Sequence, residues 1–231
     1  MKSVVLIILD GWGITAPGPG NAISQANLSY IPSYWHSYPH TELAASGQSV
    51  GLPDGEDGNT ECGHLNIGAG RVVYQDLPRI NMAIADGSFL SNNAFLAALR
   101  YSEDHHSNIH LMGVLSDAGV HANREHLYAI LQLLARNKRL QNVYLHIFTD
   151  GRDAPPQSGI RFISELEKMC QTIGTGTIAT VMGRYYSMDR DRRWDRTQKA
   201  YIALTEPIEK HFATASDAIQ DSYSKHISDE F

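Results

Sequence analysis

Three short apolar runs, each closed by a polar cluster and separated by amphipathic stretches, constrain the fold of this chain most. Asn108–Leu115, Val143–Phe148 and Thr177–Met182 have the length and residue types of buried strands. After the first run Asn123 supplies a helix-capping side chain, and Leu127, Ile130, Leu131 and Leu134 then recur with the 3.6-residue period. After the second, Pro155-Pro156 and Ser158 open a helix bearing Phe162, Ile163, Leu166, Met169 and Ile173, with Gly174 as its stop. Strands alternating with helices predict β-α-β units and a parallel sheet. Further helices are expected over Asn92–His105, Arg193–Leu204 and Ser216–His226.

The ends of these runs carry the chemistry. The first ends in Asp117 and His121, the second in Arg152 and Asp153, the third in Arg184 with Arg190 beyond it. In open α/β sheets ligands bind beyond the carboxyl ends of the strands. Arginine forks match phosphate and carboxylate oxygens in bidentate geometry. A site gathering Arg152, Arg184 and Arg190 suits a phosphorylated hydroxy acid. For Asp189–Arg196, with four arginines and three aspartates, a set of surface ion pairs is an equal reading. That near balance of charge, and a formal net charge of −6, argue against nucleic acid as a partner.

Before these units the chain reads differently. Val4–Leu9 is a continuous apolar run, predicted as a parallel strand buried on both faces and ending at Asp10. Asp10 there suits either a metal ligand or a turn cap. A helix is expected over Asn21–Tyr38, disturbed at Pro32, then a short strand at Thr41–Ala45 and a loop at Ser49–Gly58. Gly58–Arg71 follows, with four glycines in fourteen residues. Thr60 lies where a helix would begin, so its hydroxyl is either an N-cap or a nucleophile facing an anion at the helix N-terminus. The pattern changes near Tyr74–Pro78, where a domain boundary is placed, giving domains 1–75 and 76–231. Two distant cysteines, Cys62 and Cys170, show no metal or redox spacing and suggest a reduced cytoplasmic protein. Val4–Leu9 is too short to span a membrane and lacks a signal-cleavage region, so no membrane association is expected.

Gly58–Arg71 resembles the nucleophile segment of cofactor-independent phosphoglycerate mutase, a member of the alkaline phosphatase superfamily. The family pattern Gly-Asn-Ser-Glu-Val-Gly-His-x-Asn-Ile-Gly-Ala-Gly-Arg is met except for Thr60 in place of serine and Cys62 in place of valine. The resemblance continues through Asp10-Gly11-Trp12-Gly13, Ser116–His121, Asp150-Gly151-Arg152-Asp153 and Gly183–Asp191, and so covers essentially the whole chain. It implies an α/β fold: a parallel-sheet, alkaline-phosphatase-like N-terminal portion, then an α/β substrate (transferase) domain, both incomplete. It implies interconversion of 3-phosphoglycerate and 2-phosphoglycerate, with Thr60 as catalytic residue, Asp10 and Thr60 as metal ligands, and His121, Arg152, Asp153, Arg184 and Arg190 binding phosphoglycerate. The implied cofactor is manganese, two ions in full-length members. The full-length protein is expected to be a cytoplasmic monomer with this small molecule as its partner.

Several residues depart from the family. Thr60 adds a methyl group and a stiffer χ1 to the hydroxyl. Glu56-Asp57 replaces the usual Gln-Met, Ala118 a glycine, and Ala122-Asn123 the usual Ser-His. Family members are about double this length, and most of their metal ligands follow the substrate domain. The chain is therefore expected to be an inactive N-terminal fragment. A superfamily phosphohydrolase and a non-catalytic phosphoglycerate-binding fragment are the alternatives.

Overall fold

A computed structural model describes residues 3–136, 142–207 and 210–231. The chain forms two compact units, one running to Arg79 and one from Ile80 to Phe231. In the first unit lie α1 (Ala22–Gln25), α2 (Tyr30–Ser37) and α3 (Thr60–Ala69), and α4 (Asp76–Ala85) contains the division. In the second come α5 (Asn93–His105), β1 (Ile109–Leu115), α6 (Arg124–Ala135), β2 (Val143–Thr149), α7 (Gly159–Ile173), β3 (Thr177–Gly183), α8 (Arg184–Ser187), α9 (Trp194–Thr205) and α10 (Ala215–Ser224).

The second unit follows the strand-helix alternation of its sequence. β1, β2 and β3 pair in parallel in that order, and the middle strand is the most buried of the three. Val143, Leu145 and Ile147 on one face of β2 are buried with Leu131 and Leu134 of α6 and Phe162, Ile163 and Leu166 of α7. On the opposite face a polar chain crosses the sheet: His110 Nδ1 and His146 Nε2 share a hydrogen bond of 2.9 Å, and His146 Nδ1 lies 2.9 Å from the Thr180 hydroxyl. Burial, with the neighbouring His110, pushes the His146 imidazole below its ordinary pKa. Caps set the helix limits as the residue types predict. Asn92 and Asn123 side chains accept N–H bonds in the first turns of α5 and α6, and Gly174 ends α7 in the left-handed region.

The first unit departs from expectation. Val4–Leu9 and Thr41–Ala45 are not strands: neither pairs with another segment among the described residues. Val4 is 92% exposed and even Ile8 is 42% exposed. An apolar run becomes a strand only when a neighbour satisfies its backbone, and no described strand adjoins it. The helix expected over Asn21–Tyr38 is two helices, broken at Ala26–Ser29. Pro32 causes no break, because it occupies the first turn of α2, where a missing N–H costs nothing. The packed part of this unit is local: Val50, Leu52 and Cys62 form a small core. Asn66 of α3 clips two loops to it, donating to the Val50 carbonyl at 3.0 Å and accepting from the Val73 N–H at 2.8 Å.

Candidate functional site

The first candidate site is the start of α3. Asn59 is the N-cap, its side chain accepting the Cys62 N–H at 2.9 Å. Thr60 is therefore the first helical residue, and its hydroxyl is left for other partners. That hydroxyl donates to Asp10 Oδ2 at 2.5 Å, so two residues fifty positions apart meet. His64, one turn along the helix, places Nδ1 3.1 Å from the same hydroxyl and 2.9 Å from the Thr60 carbonyl. Sequence reading did not select His64, although the Thr-x-x-x-His spacing puts both residues on one helix face. Asp10 and Thr60 are hard oxygen donors and His64 adds an imidazole, a donor set that fits a divalent cation. Among the described residues, however, no group of three or more histidine, cysteine, aspartate or glutamate side chains is placed to hold a metal ion.

The second candidate site lies in the second unit, at the carboxyl ends of β2 and β3. His121, Arg152, Asp153, Arg184 and Arg190 line one cleft of about 230 Å³. Asp150 organises it. This carboxylate is buried, accepts the Ser116 hydroxyl at 2.6 Å, and accepts the N–H groups of Arg152 and Asp153 at 3.2 and 3.0 Å. Burial alone would raise its pKa, but these hydrogen bonds and the Arg184 guanidinium outweigh it and hold the carboxyl below its usual range. Arg184 is only 8% exposed, and its Nη1 donates to Asp150 Oδ1 at 2.6 Å and Asp153 Oδ2 at 2.5 Å. Burial would lower the Arg184 pKa, but the two carboxylates raise it. His121 Nε2 lies 3.7 Å from Asp153 Oδ2.

The other two arginines are set differently. Arg152 is largely exposed, 3.7 Å from Glu230 Oε1, and Arg190 is exposed with no ion pair among the described residues. Arg196 lies over the Tyr185 ring at 3.8 Å and pairs with Asp189, whose carboxylate also accepts the Arg193 N–H. Part of Asp189–Arg196 is thus local ion pairing, and part lines the cleft. Asp117 turns elsewhere, accepting from Arg161 of α7 at 3.1 Å. A larger cavity of about 440 Å³ lies between β3 and α10. Its lining contains no arginine, and its Lys210 is paired with Asp221. The smaller cleft holds the convergent charge and is the better anion site.

A parallel α/β unit with an arginine cleft at its strand ends, preceded by a unit in which a hydroxyl is bonded to a carboxylate, defines the class as α/β with an anion-suited cleft. Comparison with known proteins narrows this: the family described as BPG-independent PGAM N-terminus matches residues 80–231, and the chain belongs to that family. The 2,3-bisphosphoglycerate-independent phosphoglycerate mutases of Chloroflexus aggregans and Moorella thermoacetica are 51% and 52% identical to it over 230 residues. These alignments cover 100% of this chain but 42% and 45% of the two relatives. The chain thus spans less than half the length of the curated relatives it matches. A crystal structure of Leishmania mexicana phosphoglycerate mutase at low cobalt concentration is similar, with a TM-score of 0.66 and 30% identity over 91% of this chain and 40% of that one.

Proposed function

We propose that this chain carries the nucleophile and the substrate cleft of a mutase that interconverts 3-phosphoglycerate and 2-phosphoglycerate. The observation that carries the reading is the meeting of His121, Arg152, Asp153, Arg184 and Arg190 around one cleft. Arg152 and Arg190 are the exposed cations for phosphate and carboxylate, while buried Arg184 fixes Asp153 toward the glycerate hydroxyls. The phosphoryl group passes to Thr60 Oγ: the Oγ–P bond forms as the substrate's ester P–O bond breaks, the hydroxyl proton leaves toward Asp10, and the departing glycerate oxygen takes up a proton. The second transfer reverses these steps onto the other hydroxyl, so no phosphate is lost. Asp10 accepts the hydrogen bond of the attacking hydroxyl, and the N-terminus of α3 favours negative charge beside it. A divalent cation held by Asp10 and Thr60, manganese in our reading, would lower the hydroxyl pKa and neutralise charge on the transferring group.

The two reactants place the reaction in glycolysis and gluconeogenesis. The two buried free cysteines suit the reducing cytoplasm, and we expect a monomer at full length. Among the described residues no helix is long and apolar enough to cross a membrane. One observation favours a second reading, phosphoglycerate binding without turnover: the described residues offer no complete metal cluster. Mass spectrometry after turnover tests the first, in a chain extended to the length of the relatives. A phosphoryl group on Thr60 is expected, abolished in Thr60→Ala and retained or increased in Thr60→Ser. Its location on another residue would overturn the assignment.

A further inference from the structure

Residues Ser228–Phe231 form a strap across the carboxyl ends of β2 and β3, and nothing in the sequence marks them. Asp229 is 3% exposed and bonded at every polar group. Its Oδ2 accepts the Gly159 N–H at 2.7 Å, and its Oδ1 accepts the Tyr223 hydroxyl. Its carbonyl accepts the Thr149 hydroxyl at 2.6 Å, and its N–H donates to the Pro156 carbonyl at 2.9 Å. The Glu230 carbonyl then accepts the Tyr185 N–H at 2.9 Å. Gly151, Gly159 and Gly183 all face this strap, and a Cβ at any of them would collide with it. The backbone of residue 230 is therefore fixed on several sides. Its side chain projects into the arginine cleft and meets Arg152 at 3.7 Å.

Arg152 needs such a partner. Its side chain is 68% exposed, whereas Arg184 is buried between two carboxylates. An exposed arginine spreads over many rotamers, and a ligand that uses it must freeze them. As an exposed ion pair the Glu230–Arg152 contact adds little stability. Its effect is to limit where the guanidinium goes. We propose that Glu230 is a positioning residue of the arginine cleft, its carboxylate holding Arg152 toward the phosphorylated acid. This rests on the phosphoglycerate reading of the cleft.

The sign of the effect makes the inference testable. Removing a negative charge beside an anion site should by itself tighten anion binding. Removing a positioning group should weaken it. We expect calorimetric titration of 3-phosphoglycerate into the 231-residue chain to show about tenfold weaker binding in Glu230→Gln than in the parent. In an Arg152→Ala background the same change should have no effect, since the residue through which Glu230 acts is gone. Tighter binding in Glu230→Gln, or an equal loss in both backgrounds, would overturn the inference. Nitrogen-15 NMR of the Arg152 side chain supplies a measurement without ligand: its guanidinium should be more ordered in the parent than in Glu230→Gln. Equal order overturns the positioning role whatever binds. A parent chain that fails to bind 3-phosphoglycerate, but keeps that difference in order, overturns only the substrate reading.

Discussion

Val4–Leu9 and Val143–Thr149 are both apolar runs predicted as strands, and they are opposite in fate. The first is an exposed, unpaired segment; the second is the centre of a parallel sheet, flanked by β1 and β3. The difference lies in what surrounds them. β2 sits between two partners of similar length and beneath α6 and α7, so its backbone is satisfied and one face is buried. Among the described residues Val4–Leu9 has neither a partner strand nor a covering helix. Apolar character specifies that a segment should be buried; pairing partners decide whether it becomes a strand. In the same way, five cleft residues meet within the second unit, whereas in the first only Asp10, Thr60 and His64 meet, through two hydrogen bonds to one hydroxyl.

The largest expected effect is all-or-none. The 231-residue chain should convert no 3-phosphoglycerate to 2-phosphoglycerate even with manganese added, because Asp10, Thr60 and His64 bring too few donor groups for a dinuclear site. It should also self-associate through Val4–Leu9. A monodisperse monomer with turnover in a coupled assay would break the contrast between the units.

Next are two truncations that set the two runs side by side. Leu145→Ala in β2 should destabilise the second unit by about 3 kcal/mol, read as a lower denaturant midpoint. Leu6→Ala should change stability by less than about 0.5 kcal/mol. Equal losses would mean that Val4–Leu9 is packed after all. A smaller effect, about 2 kcal/mol in binding 3-phosphoglycerate by calorimetry, is expected for Arg184→Lys. Lysine keeps the charge, but its different reach and head geometry should disturb the two bonds that Arg184 Nη1 makes to Asp150 and Asp153. Unchanged affinity would make Arg184 scaffolding alone.

The smallest effect is a slope with pH. The His146 imidazole lies below its ordinary pKa of 6.5 in the folded chain. As pH falls through 6.5 the unfolded chain gains a proton that the folded chain refuses. Stability should therefore decline until the folded pKa is passed, where both states are protonated. His146→Gln should flatten this slope in urea titrations at a series of pH values, while an identical slope would assign it to other groups.

Much of the second unit was legible because its signals are local. Strand length, helical period, Asn92 and Asn123 as caps and Gly174 as a stop each act within a few residues. The five cleft residues were legible as strand-end clusters and through the family motifs. Asp150 and Glu230 were not singled out, because their roles depend on partners distant in sequence, Ser116 and Arg184 for one and Arg152 for the other. In the first unit the sequence overstated order. Thr41–Ala45 has one β-branched residue, Thr41, and no described strand to join, and the break at Ala26–Ser29 has no proline to announce it. The pairing of Asp10 with Thr60 was implied only by resemblance; spacing alone left both open to turn and cap roles.

The strap also sets a schedule. The bond from Thr149 to the Asp229 carbonyl closes a loop of 80 residues. Loop closure on that scale is entropically late, since β1, β2 and β3 can pair through nearer contacts first. During synthesis the sheet and its two crossover helices are complete once β3 has emerged, before Glu230 can dock. The nascent chain thus carries its arginines before it carries the carboxylate that meets Arg152. Until the strap docks, the cleft has its paired Arg184 but lacks the contact between Glu230 and Arg152.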